Sequence, residues 1–138
     1  MAVLIHGWEG SAESVYMLSA AHRLHREGYR VVRLNLRDHG GSQHLNEGLF
    51  HSCRLAEVQD AVAALQRRFP DERLFLGGFS LGGNFALRVA AAAAGTGLRI
   101  ERVVAVCPVL DPRSTLRALD DGLPHYRWYF LRRWRRSL

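Results

Sequence analysis

The sequence predicts an α/β fold in which one parallel sheet carries helices on both faces. Three observations support this. Short continuous apolar runs recur at Ala2-Val3-Leu4-Ile5, at Leu74-Phe75-Leu76 and at residues 103–107, and residues 30–36 hold a strand-like run broken by Arg33 and Asn35. Longer stretches with apolar residues at helical spacing separate them. Most of the changes from one to the other fall at glycine- or proline-bearing turns. Strands that alternate with helices need right-handed crossovers, and those make the strands parallel. A chain of 138 residues, 48% of them hydrophobic, suits one compact domain.

The first strand, Ala2-Val3-Leu4-Ile5, is apolar at every position, as a strand buried on both faces would be. It runs into the turn-rich His6-Gly7-Trp8-Glu9-Gly10-Ser11. Ser11, Glu13 and Ser14 suit a helix start, and the helix should run to about Glu27 with Val15, Leu18 and Ala21 inward. Gly28 stops it, and His22, Arg23, His25 and Arg26 form its solvated side. A second strand over residues 30–36 leads into the loop Arg37-Asp38-His39-Gly40-Gly41-Ser42. A second helix is expected over residues 50–69, with Leu55, Val58, Val62 and Leu65 on its inner stripe and Pro70 beyond it. The third strand ends at Gly78-Phe79-Ser80-Leu81-Gly82, and a helix rich in glycine and alanine follows from Leu81 to about Ala94. Gly95-Thr96-Gly97 closes that helix. The fourth strand, residues 103–107, ends at Pro108, with Cys107 closing a buried strand.

Composition narrows the function classes. No apolar run approaches membrane-spanning length, and Met1 leads straight into a strand without signal-peptide architecture, so a cytoplasmic setting is expected. Cys53 and Cys107 have neither disulfide-framework nor metal-site spacing, and no metal or cofactor is expected. Net charge is +6, and residues 113–138 hold seven arginines against Asp120 and Asp121, which leaves +5 there. All nineteen basic residues are arginine, a compositional bias rather than site chemistry.

The chemistry centres on Ser80. Gly78-Phe79-Ser80-Leu81-Gly82 fits G-x-S-x-G, the nucleophile elbow. Its strand-to-helix turn is tight enough that positions two before and two after the serine must lack side chains. In a parallel sheet the loop after the first strand meets the loop after the third at the carboxyl edge. The backbone N–H groups of Trp8 and Leu81 could then face one oxyanion. Read alone, His6-Gly7 simply turns the chain. A serine nucleophile also needs a base and a group to orient it. In this architecture the order is serine, acid, histidine, and only His125 follows Ser80. Asp111, after the fourth strand, is the candidate acid; the alternative is that it caps the next turn. Asp38-His39 reads as a loop held by its own hydrogen bonds.

The order of His6-Gly7-Trp8-Glu9-Gly10-Ser11, Asn35-Leu36-Arg37-Asp38-His39-Gly40-Gly41-Ser42 and Gly78-Phe79-Ser80-Leu81-Gly82-Gly83-Asn84 resembles the alpha/beta-hydrolase superfamily. More narrowly it is similar to the YheT-like branch of predicted esterases. The resemblance runs from residue 2 to about 135. It implies Ser80 as nucleophile, the Trp8 and Leu81 amides as oxyanion donors, and strands three to six of the family's eight. The strands that normally carry the acid and base would then be absent. Residues 1–112 would form a partial hydrolase core and residues 113–138 the start of a basic, aromatic helical cap. The implied activity is serine-dependent hydrolysis of carboxylic esters, on a small-molecule or lipid ester. An acyltransferase using the same serine is one alternative. Another is a non-catalytic module that binds anionic partners through the arginine-rich tail. No sequence-specific nucleic-acid partner is expected, and weak membrane-surface contact would run through residues 125–138.

Overall fold

A computed structural model describes residues 1–137, with side chains to Arg135; Leu138 and the side chains of residues 136 and 137, at the end of the expected cap segment, lie outside it. Four strands, β1 (Ala2–Ile5), β2 (Val31–Leu34), β3 (Leu74–Phe79) and β4 (Ile100–Val106), form one parallel sheet in the order β2-β1-β3-β4. Helices α1 (Val15–Arg26), α2 (Leu55–Arg68) and α3 (Leu81–Ala91) supply the crossovers, and α4 (Ala93–Thr96) is one further turn before β4. Two helices follow the sheet, α5 (Pro112–Asp121) and α6 (Pro124–Ser137). The α/β class predicted from sequence is the class observed.

Strand register assigns each side chain to a face. Val3 lies between Val32 and Leu76, and Leu76 pairs with Val103; these residues build the core with Val58 and Val62 of α2 and Phe85, Ala86 and Val89 of α3. Alternation sends Leu4, Phe75, Gly77, Phe79, Val104 and Val106 to the opposite face, where Ala20 and Leu24 of α1 lie across part of them. On that face β4 is an edge strand, with Val104 62% and Val106 43% exposed.

Several boundaries depart from the sequence expectation. In α1 the inner residues are Met17, Ala20, Ala21 and Leu24, while Val15 is 82% exposed and Leu18 also faces outward. The entry loop sets this rotation: Ala12 N–H donates to Asn35 Oδ1 (2.7 Å), and Tyr16 is turned back so that its hydroxyl meets Gly7 N–H (3.0 Å). Strand β2 ends at Leu34, because Leu36 N–H donates to His6 Nε2 (3.1 Å) and the chain leaves the sheet. Helix α2 begins at Leu55, five residues later than expected. Phe50 N–H is bound by the buried Asp38 carboxylate (2.7 Å) and Arg54 N–H turns back to the His51 carbonyl (3.1 Å), which commits that stretch to a loop. Cys107 does not close a buried strand: it is exposed, lies one residue past β4 and has φ +46°. With four strands in this order, β4 has a neighbour on one side only.

Candidate functional site

Because the sheet is parallel, the loops after β1, β2, β3 and β4 meet at one edge. Ser80 stands at the centre of that edge, between β3 and α3, with φ +51° and ψ −117°. A non-glycine residue at positive φ costs on the order of 1–3 kcal/mol and persists only where its surroundings impose it. Here they do. Ser80 N–H donates to the Val106 carbonyl (2.9 Å), and the Ser80 carbonyl accepts from Asn84 N–H (3.1 Å) and Val109 N–H (3.3 Å). The two flanking glycines show how tight the turn is. A Cβ on Gly78 would stand 2.2 Å from the Gly82 carbonyl oxygen, and one on Gly82 would stand 2.3 Å from the carbonyl oxygens of Ile5 and His6. All of these are backbone atoms, so neither position can carry a side chain without displacing the turn.

The loop after β1 lies against the serine, since a Cβ on Gly7 would be 3.2 Å from Ser80 Cβ. Its backbone is pinned at nearly every step. Gly7 N–H donates to Tyr16 Oη (3.0 Å), Gly10 N–H to the Gly7 carbonyl (3.0 Å), and Glu9 N–H to His39 Nε2 (3.3 Å). His6 is fully buried; Nδ1–H donates to the Gly7 carbonyl (2.7 Å) and Nε2 accepts from Leu36 N–H. That pattern needs the neutral ring. Burial pushes its pKa down to about 4, against the opposing Gly7 hydrogen bond. Trp8 is the loop residue whose amide no described group accepts, and Leu81 heads α3, where an amide has no carbonyl partner within the helix.

These groups open onto a cavity of about 530 Å³ walled by Ser80, Leu81, Trp8, His51 and leucines of α5 and the turn after it. The indole of Trp8 stacks on Phe130 of α6, with centroids 5.4 Å apart and planes 5° from parallel. Asn84 Nδ2 donates to the Val109 carbonyl (2.8 Å) and Arg88 Nη1 to the Ser52 carbonyl (2.7 Å), so α3 braces the loops on two sides of the cavity.

The profile of the alpha/beta hydrolase fold family matches residues 3–137, nearly the whole chain. The chain belongs to the alpha/beta hydrolase fold family. Solved structures share the fold. An alpha-beta serine hydrolase homologue from Coxiella burnetii matches at 18% identity over 81% of this chain and 53% of its own, with a TM-score of 0.63. An α/β serine hydrolase without a lid from Xanthomonas campestris matches at 20% identity over 88% and 66%, TM-score 0.58. The NocB thioesterase domain, solved as a covalent complex with a fluorophosphonate nocardicin G analogue, matches at 25% identity over 88% and 53%, TM-score 0.57. The chain thus spans between about half and two thirds of the length of these structures.

The sequence candidates in this alpha/beta hydrolase fold now have positions. Ser80, Leu81 and Trp8 share the cavity wall. Asp111 is exposed and caps α5: its carboxylate accepts from Arg113 N–H (3.0 Å) and from the Ser114 hydroxyl. Those two hydrogen bonds, the Ser114 hydroxyl first, hold its pKa below the usual aspartate value. His125 sits in the first turn of α6 against Tyr126, off the cavity wall. His51 is on that wall, which sequence reasoning missed; a histidine in a loop carries no periodic signal to mark it. Asp38 and His39 are hydrogen-bonded scaffold as the loop reading expects, but they are buried and their partners reach beyond the loop itself, to Glu9, Asn46 and Phe50. Asp38 binds Phe50 N–H and Asn46 Nδ2, and His39 Nδ1–H donates to the Arg37 carbonyl (2.7 Å). Among the described residues no three His, Cys, Asp or Glu side chains cluster as a metal site, and no helix is long and apolar enough to cross a membrane.

Proposed function

We propose that this alpha/beta hydrolase is a serine-dependent hydrolase of carboxylic esters, in which Ser80 is the nucleophile. The observation that carries this is the strained backbone of Ser80, held at φ +51° between two glycines that admit no Cβ. Ser80 Oγ attacks the ester carbonyl, and the negative charge that builds on the carbonyl oxygen is met by the N–H groups of Trp8 and Leu81. Collapse expels the alcohol and leaves an acyl-serine, which water then hydrolyses. Leucines along the cavity wall suit an acyl chain or another apolar substituent.

Both proton transfers need a base. His6 and His39 are committed to the loop backbone through both ring nitrogens. His125 lies off the cavity wall, and His51, on the wall, precedes Ser80 in the chain, against the order serine, acid, histidine. Asp111 is better read as the α5 cap than as the acid. We place the acid and base in later sequence of a longer polypeptide, consistent with the serine-acid-histidine order and with the share of related structures that this chain spans. On this reading residues 1–112 are hydrolase core and residues 113–138 begin a cap, in the manner of the YheT-like esterases.

The test is covalent. In the full reading frame Ser80 should be labelled by a fluorophosphonate and short acyl esters should be hydrolysed, while Ser80→Ala loses both. Full activity in Ser80→Ala would refute the assignment. The 138-residue chain alone should keep only the catalysis that an oxyanion site and binding provide without a base, about 10³–10⁴ over water.

A further inference from the structure

We propose that the outer face of α6 docks on an anionic lipid bilayer. Residues two apart on a helix point about 200° apart, so Phe130, stacked on Trp8 at the cavity, places Trp128 on the far side. Trp128, Leu131, Arg132 and Arg135 follow at i, i+3, i+4 and i+7 and share that outer face. Trp128 is 59% and Leu131 38% exposed. The Arg132 guanidinium lies 5.0 Å above the Trp128 ring. From Pro124 to Ser137 the helix has five arginines and no carboxylate.

An indole and a leucine ringed by arginines match the level of a bilayer where headgroup meets acyl chain. The apolar pair enters, and the guanidinium groups stay with the phosphates. Phosphate charge complements the arginines of the outer face, Arg132 and Arg135, whereas Arg127 is already paired with Asp120 of α5 (3.5 Å). A nucleic acid would satisfy the arginines but offers no apolar layer to Leu131. Docked in this way, α6 sets the Ser80 cavity about one helix diameter, ~10 Å, from the lipid. If the esterase reading holds, on which this last point rests, the favoured substrates are esters dissolved in the membrane.

The experiment is co-sedimentation of the full chain with phosphatidylcholine vesicles, with and without phosphatidylglycerol. Binding is expected on the anionic vesicles alone, with a blue shift in tryptophan fluorescence, and it should fall as salt is raised. Arg132→Gln with Arg135→Gln should weaken binding by at least about tenfold, and the corresponding lysine pair should restore most of it. Trp128→Ser with Leu131→Ser should also weaken binding, at unchanged circular dichroism because both residues are on the surface. The proposal is overturned by absence of vesicle binding, by equal binding to neutral vesicles, by indifference to the glutamine pair, or by retention on a single-stranded oligonucleotide without vesicle binding. Ser80→Ala should bind vesicles as the parent does, so the docking result stands or falls separately from fluorophosphonate labelling.

Discussion

His6 gives the most quantitative prediction. The ring is buried and neutral, with one nitrogen donating to Gly7 and the other accepting from Leu36. Its pKa is about 4 folded and about 6.5 unfolded, so between those values the unfolded chain binds the extra proton. Stability contributed by the neutral ring is therefore present above pH 6.5 and is lost as pH falls toward 4. One proton of difference costs ~1.4 kcal/mol per pH unit, which integrates to about 2 kcal/mol between pH 7 and pH 4.5. The window is informative because the shifted carboxylates of Glu57, Glu72, Glu101 and Asp111 all lie below their ordinary values and add their losses at lower pH. The comparison is His6→Gln, whose side-chain oxygen can still accept from Leu36 N–H but does not titrate. Urea unfolding at half-unit steps from pH 7 to 4.5 should show the parent losing about 2 kcal/mol more than the variant. Parallel profiles would refute a buried neutral His6 as the acid-sensitive element of the loop beside Ser80.

Other substitutions test the remaining geometry. Gly82→Ala puts a methyl group into two backbone carbonyls, and the elbow must open to admit it; thermal melting and fluorophosphonate labelling should both collapse, whereas Gly95→Ala, where nothing lies within 4 Å, should leave both intact. Tyr16→Phe deprives Gly7 N–H of its acceptor; a loss of about 1 kcal/mol in urea unfolding is expected, together with slower labelling of Ser80. Asp111→Ala removes the α5 cap, so helicity near residues 112–121 should fray in hydrogen exchange while the labelling rate stays unchanged. A large fall in labelling with the helix intact would return Asp111 to the catalytic candidates.

The sequence by itself determined the class of fold and the position of the central serine. Short, mostly apolar runs alternating with amphipathic stretches have few packing solutions, and G-x-S-x-G leaves little freedom because its two glycines meet backbone rather than side chains. The pairing of the Trp8 loop with Ser80 was legible for the same reason, since parallel strands bring these loops to one edge. Tertiary structure decided what local patterns leave open. The rotation of α1 about its axis depends on hydrogen bonds to Asn35 and Gly7, well separated in sequence from the helical stripe. The late start of α2 depends on the Asp38 carboxylate, and the exposure of β4 on strand order. Histidines are the sharpest case: residue type alone cannot tell a buried strut from a base. His6 became a strut when two backbone groups met its ring, and His51 reached the cavity wall when the loop after β2 folded over Phe85. Non-local contacts of this kind depend on where strands and loops finally pack, and no window of neighbouring residues contains that information.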